Sequence, residues 1–190
     1  GGSNAPSGAG YENLYSLDFD GVDDYVDFGD ANVFTPNDSG ANRGFSLSFW
    51  LKLPNPASQK LFNKGGMYYS GSTKFEWSIT TDWASKLKLD LWAGGDAANK
   101  IIFRTTALSA DTWYHVALSW NLGATNADII GHINGVKHSV ALGNATWTIA
   151  GSWTSVMNTL NPLEFVKNGS SYGALNLDEV ALFDNAISDA

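Results

Sequence analysis

The sequence predicts an all-β fold, a two-sheet antiparallel jelly-roll sandwich. Three observations carry this. Apolar and polar residues alternate with period two along most of the chain, and a helical period is almost absent. Turn-forming residues, including 20 Gly, punctuate the alternating runs. Charged residues make up 16% of the chain, against roughly 25% in average soluble domains. The polar surface therefore comes from Ser, Thr, Asn and Gly, a mix that with 8 Trp suits an all-β extracellular or virion protein.

The elements follow in order. Leu17 and Phe19 alternate with Asp18 and Asp20, and Val26 and Phe28 with Tyr25 and Asp27. Phe45, Leu47, Phe49 and Leu51 alternate with Ser46, Ser48, Trp50 and Lys52. Pro54 and Pro56 end that strand, because proline cannot donate to a ladder. Leu87, Leu89 and Leu91 alternate with Lys86, Lys88 and Asp90. Ile101–Thr105 and Trp113–Trp120 read as further strands. Asn134-Gly135 joins Ile129–Ile133 to Val136–Val140, the signal of a type I′ hairpin. Leu163–Val166 and Leu175–Phe183 complete the set, and Asn185–Ala190 reads as a helix start.

At 190 residues the chain is one domain with room for a full core. Residues 1–13, opening on a Gly- and Ser-rich run, read as a linker or lead, and 14–190 as the folded unit of a longer protein. With no Cys, disulfide scaffolds and cysteine chemistry are excluded. No apolar run is long enough for a membrane helix, so membrane insertion is not expected. Eight acids precede the first basic residue, Arg43, and the remaining 11 acids balance 11 bases, so the net charge of −8 belongs to the first 42 residues. No basic stripe runs along the sequence, which argues against nucleic acid and anionic lipid as partners.

Five landmarks fall in the order of a known family. They are Leu17-Asp18-Phe19-Asp20-Gly21-Val22-Asp23-Asp24-Tyr25-Val26, Phe45-Ser46-Leu47-Ser48-Phe49-Trp50-Leu51-Lys52, Trp113-Tyr114-His115-Val116-Ala117, Ile133-Asn134-Gly135-Val136, and Leu177-Asp178-Glu179-Val180-Ala181-Leu182-Phe183 with Asn185-Ala186-Ile187-Ser188. Together they resemble the laminin-G-like, concanavalin A-like lectin and glucanase jelly rolls. The resemblance implies two stacked sheets, one concave. It leaves function open, because the fold hosts lectins, pentraxins, glycan hydrolases and adhesion modules.

Glycan-cleaving relatives carry Glu-x-Asp-x-x-Glu on one strand, a spacing that puts nucleophile and acid on one face. None of the four Glu here (Glu12, Glu76, Glu164, Glu179) has that context, so no enzyme is expected. Six Asp lie between residues 18 and 30. Like charges crowded on a sheet repel, and a bound calcium would offset this with hard oxygen ligands. Related sandwiches hold a structural calcium where the first strands meet the last, which implies Asp178 as a ligand. Asp20 and Asp24, with the backbone carbonyl of Gly21, are the expected partners; a solvated acidic rim is the alternative. The pentraxin ligand-bridging calcium site is not matched, since Asn63-Lys64-Gly65-Gly66-Met67 and Val166-Lys167-Asn168-Gly169 lack its acids.

Trp50, Trp77, Trp113 and Trp120 sit in strand patterns and read as core or sheet-face packing. Trp83, Trp147 and Trp153 sit among Ser, Thr, Gly and Asp, where an apolar ring beside hydrogen-bonding groups can stack on a sugar. Capping of the sandwich ends is the alternative. His132 and His138 flank the hairpin and could approach one another, though a structural role is the simpler reading.

The functional expectation is a non-catalytic carbohydrate-recognition or adhesion module of a larger secreted or surface protein, with glycans or a surface protein as partner. A structural, decoration or tail domain of a virion (bacteriophage) or surface filament, without glycan binding, is the alternative. Either places the domain outside the cell, on a surface or on a virion.

Overall fold

A computed structural model describes residues 15–36, 44–65, 76–94, 98–123, 125–156 and 158–187. The smaller of two sheets has six strands in the order β1 (Leu17–Asp20), β15 (Ala174–Phe183), β3 (Phe45–Lys52), β8 (Trp113–Trp120), β9 (Ile129–Ile133) and β10 (Val136–His138). The larger has seven: β11 (Thr146–Ala150), β7 (Lys100–Ala107), β6 (Lys86–Trp92), β5 (Trp77–Thr81), β4 (Lys60–Lys64), β12 (Leu163–Phe165) and β2 (Val26–Asp27). A short ribbon of β13 (Lys167–Asn168) and β14 (Ser171–Tyr172) lies beside β4. The pairings are antiparallel, and the first strand lies against the last through Leu17↔Leu177 and Asp20↔Ala174. This is the sandwich that the alternation predicts.

The core follows from that alternation. Phe45, Leu47, Phe49 and Leu51 of β3 are buried, and so are Leu87, Leu89 and Leu91 of β6. Aromatic contacts tie the two layers together. Phe45 stacks on Trp77 at 5.3 Å, and Phe49 meets Phe62 edge-on at 4.8 Å. Trp77 and Trp120 are core residues, and their indole N–H groups donate to the carbonyls of Phe34 (2.8 Å) and Gly123 (2.9 Å). Trp50 and Trp113 are half-buried on the outer face of the smaller sheet, Trp50 against His115 at 5.1 Å.

Three strands of the larger sheet, β4, β5 and β11, go beyond the predicted set. β4 hides its pattern because Lys64 points inward and is 0% exposed. A buried ammonium is tolerated only with partners. Lys64 Nζ donates to Asp30 Oδ1 (2.7 Å), Glu76 Oε1 (3.2 Å) and the Asn161 carbonyl (2.5 Å). Glu76 in turn accepts from Thr35 Oγ1 (2.7 Å) and from the N–H of Thr159 (2.8 Å). This network clips the loops around residues 30–35 and 158–161 to the end of the sheet.

The expected helix start is absent over 185–187; residues 188–190 lie outside the described residues. Ile187 is instead tied to the smaller sheet. Its N–H donates to Ser46 Oγ (2.7 Å), and its carbonyl accepts from Ser119 Oγ (3.1 Å).

Candidate ligand-binding face

In a strand every second side chain faces outward, and register decides which of these become neighbours. On the larger sheet, register aligns Asp27, Glu164, Asn63, Ser78, Asp90 and Ile102 in one row across β2, β12, β4, β5, β6 and β7. One pleat repeat away, Lys60, Thr80, Lys88, Arg104 and Thr146 form a second row. The opposite faces of these strands carry Leu89, Ile79, Phe62 and Phe165 into the core.

This outer face holds unmet hydrogen-bonding capacity. Among the described residues, six of eight buried side-chain polar atoms without a hydrogen-bond partner belong to Asn63, Thr80, Asp90 and Glu164. Both amide atoms of Asn63 are among them. Buried polar groups are normally paired, so orphans concentrated on one face call for a partner such as water, an ion or a ligand. Flexible lysines lie over the two carboxylates. Lys88 Nζ is 2.8 Å from Asp90 Oδ2, leaving Oδ1 unpaired. Lys167 Nζ is 2.8 Å from Glu164 Oε1, but without the alignment of a hydrogen bond.

Lys167 comes back over the face because Val166 takes φ 67°, a left-handed conformation unusual for a β-branched residue. The Val166 N–H donates to the Leu61 carbonyl at 2.8 Å, and the Val166 carbonyl accepts from the Gly173 N–H at 2.9 Å. The Lys167 ammonium also sits 3.9 Å above the Tyr25 ring. Burial, and then the neighbouring Lys88 charge, hold the Lys60 ammonium below its ordinary pKa; Asp90 pulls weakly the other way.

Glu164 and Asp90 are separated by three strand spacings, about 14 Å, wider than either glycosidase arrangement. Asp27 lies directly opposite Glu164, but its Oδ1 accepts the N–H of Gly29 at 2.7 Å.

The three candidate stacking tryptophans do not converge. Trp83 is 85% exposed in the turn joining β5 to β6. Trp147 lies on β11 opposite Phe103 and packs on the core. Trp153 is half-buried, edge-on to Trp120 at 5.8 Å. Trp147 and Trp153 therefore occupy packing positions, and only Trp83 offers a free ring at the end of the hairpin that carries Thr80 and Lys88.

The turn after β1 brings three acids together. Carboxylates of Asp20, Asp23 and Asp24 lie within 4.8 Å of one another and are exposed. Gly21, with φ 83°, turns the chain there, and a Cβ on it would stand 3.0 Å from the Ala174 Cβ. Asp178 does not join them. It stands four residues beyond Ala174 on β15, about 14 Å along the strand, with Trp50 as its register partner.

The histidines also separate. His138 is buried and bonded to Thr106 Oγ1 (3.0 Å), whereas His132 pairs with Lys137 and takes the opposite face of the hairpin. His115 meets Ser48 Oγ at 3.0 Å. Asn63, Thr80, Asp90, Glu164 and the lysines around them escape sequence reading, because each strand contributes only one or two of them.

Comparison with known proteins fits this architecture. Residues 20–190 match the family described as the concanavalin A-like lectin/glucanases superfamily. No curated protein matches the chain in sequence. Among solved structures, it is similar to Trypanosoma rangeli sialidase in complex with sialic acid: TM-score 0.54, 14% identity, covering 94% of this chain and 27% of that one. It is also similar to botulinum neurotoxin type C, whose cell entry depends on interaction with two ganglioside molecules: TM-score 0.51, 14% identity, covering 78% of this chain and 34% of that one. The chain thus spans about a quarter of the sialidase and a third of the toxin chain, and at these identities the likeness is one of fold. With the sandwich, its landmarks and the family match in agreement, the chain belongs to the concanavalin A-like lectin/glucanase superfamily.

Proposed function

We infer that the chain is a non-catalytic carbohydrate-binding module whose ligand lies on the outer face of the larger sheet. The observation that carries this is the set of orphaned polar atoms of Asn63, Thr80, Asp90 and Glu164 on adjoining strands. Carboxylate oxygens accept from sugar hydroxyls, and the Asn63 amide both donates and accepts, which is the pattern a polyhydroxyl ligand needs. Trp83 supplies an exposed ring at one end, in the turn just beyond the two rows, an arrangement that suits a short oligosaccharide. Membership of a superfamily of lectins and glucanases supports a glycan ligand, and the wide spacing of Glu164 and Asp90 supports binding without cleavage. In this reading the module belongs to a larger secreted, surface or virion protein and works outside the cell.

The test is titration calorimetry against a panel of oligosaccharides. Binding is expected, and Asp90→Asn should weaken it about tenfold by replacing a charged hydrogen bond with a neutral one. Trp83→Ala should cost about 1–3 kcal/mol. Reducing-end release should stay at the buffer level. If no oligosaccharide binds, the virion or filament role without glycan takes its place.

The convergence of Asp20, Asp23 and Asp24 favours a calcium ion at the turn after β1 as well. These are hard oxygen donors of the kind calcium takes. The ion would brace the turn between β1 and β2.

A further inference from the structure

The part of the larger sheet's outer face around Thr80 carries an excess of positive charge within a chain of net charge −8. Four of the chain's 11 basic residues lie together there: Lys60 on β4, Lys86 and Lys88 on β6, and Arg104 on β7. Two have counter-charges close by, Lys88 at Asp90 (2.8 Å) and Arg104 Nε at Asp82 Oδ2 (3.2 Å). Lys60 and Lys86 have no ion-pair partner among the described residues. Four cations against two carboxylates leave two positive charges over.

Lys60 and Lys88 flank Thr80 on either side in register, so two lysines bracket one threonine, with the Lys88 ammonium leaning to Asp90 in the next row. That hydroxyl is buried and has no partner. We propose that the glycan bound on this face is acidic, and that its carboxylate or sulfate group sits over Thr80 between Lys60 and Lys88. The inference rests on the glycan reading above and names the class of sugar.

The chemistry agrees with the site. An anion accepts from both ammonium groups and from Thr80 Oγ1, which satisfies the orphaned donor. It also relieves the repulsion between Lys60 and Lys88, one of the two causes that hold the Lys60 pKa down. A free inorganic anion would leave the next row unused. Asn63 and Asp90 lie one pleat repeat away, about 7 Å, where they meet the hydroxyls of a ring whose acid group is at Thr80.

The experiment titrates the protein with three probes: a trigalacturonate, a sulfated carrageenan oligosaccharide and a neutral agaro-oligosaccharide. At least one acidic probe is expected to bind about tenfold more tightly than the neutral one, because it makes charge-assisted bonds. The gap should narrow as salt rises. Preference for trigalacturonate assigns a carboxylate and preference for carrageenan a sulfate ester; either supports the inference. Lys60→Gln should remove the preference and Lys60→Arg should keep it, with melting curves checking that each variant folds. A second readout follows the Lys60 side-chain resonance by NMR, which should titrate at higher pH when the acidic probe is bound. Acidic and neutral probes binding equally would overturn the inference and leave the glycan reading standing. A preference that survives both Lys60→Gln and Lys88→Gln would overturn the placement. If none of the three probes binds, while calorimetry finds another neutral oligosaccharide that does, the acidic class is again wrong. If no sugar of any class binds, the glycan reading falls and takes the inference with it.

Discussion

Lys60 and Lys64 stand at the two ends of one strand and meet opposite fates. Lys64 is fully buried, yet two carboxylates and a carbonyl surround its ammonium. Lys60 is only partly buried and has no ion-pair partner among the described residues, and its pKa is lowered from 10.5, first by burial and then by Lys88. The folded chain therefore holds this proton less firmly than the unfolded chain. Lys60 consequently detracts from stability at all pH values below its lowered pKa, and the deficit disappears as pH rises through that value to 10.5. Lys60→Met keeps the stem and removes the charge. At pH 7 without ligand, its melting temperature should exceed that of the parent chain, and the difference should shrink as the unmodified lysine loses its proton. Denaturation followed across pH 7 to 11 checks this; an equal or lower melting temperature at pH 7 would remove the electrostatic burden assigned to Lys60. A residue that lowers stability in the free chain and faces a ligand row fits the recurring trade between stability and function.

At the scale of elements, β15 shows how one irregular residue keeps a long strand in phase. Leu175 and Leu177 point into the core, and strict alternation would send Glu179 in after them. Register shifts between Asp178 and Ala181, and Glu179 takes φ 47°. The bulge leaves Glu179 exposed and returns Val180 and Leu182 to the core side. A left-handed conformation costs a non-glycine residue about 1–2 kcal/mol. Glu179→Gly should recover part of that, raising the melting temperature by about 2–4 °C per kcal/mol for a domain of this size. Deleting Glu179 removes the one extra residue opposite β3 and leaves Val180 and Leu182 facing the core, so the deletion should keep or raise the melting temperature, and the pair of melting curves checks both variants. The same logic decides what the sequence reveals. Clean alternation marks β3, β6 and β8, and Asn134-Gly135 marks its turn, with φ 52° and 75°. β4 is obscured by an inward lysine whose partners come from distant loops. The candidate face is harder still to read. Its residues run from Lys60 to Glu164, and only strand register brings them side by side.

Over the whole molecule, charge is divided by the fold much as it is divided in the sequence. The acidic opening segment, which accounts for the net −8, reaches the surface at the turn after β1, while the basic row lies across the larger sheet. Exposed carboxylates as close as those of Asp20, Asp23 and Asp24 repel one another, so the turn is a place where a divalent cation would stabilise the folded chain. A ligand that binds only the native state adds about 2.7 kcal/mol at a hundredfold excess over its dissociation constant. For a domain of this length that corresponds to a shift of roughly 5–11 °C. Calcium added to metal-stripped protein should raise the melting temperature by that order, and chelation should reverse it. Magnesium should do less, because it demands tighter octahedral geometry and gives up its water reluctantly. The geometry also says which residues matter. Asp23→Ala and Asp24→Ala should abolish the response, whereas Asp178→Ala should leave it intact, because β15 holds Asp178 about 14 Å further along the strand. A response that is lost with Asp178→Ala and kept with Asp24→Ala would move the ion to the other end of β1. A melting curve indifferent to both calcium and chelator would leave the acidic turn as a solvated rim, opposed in charge to the basic row of the larger sheet.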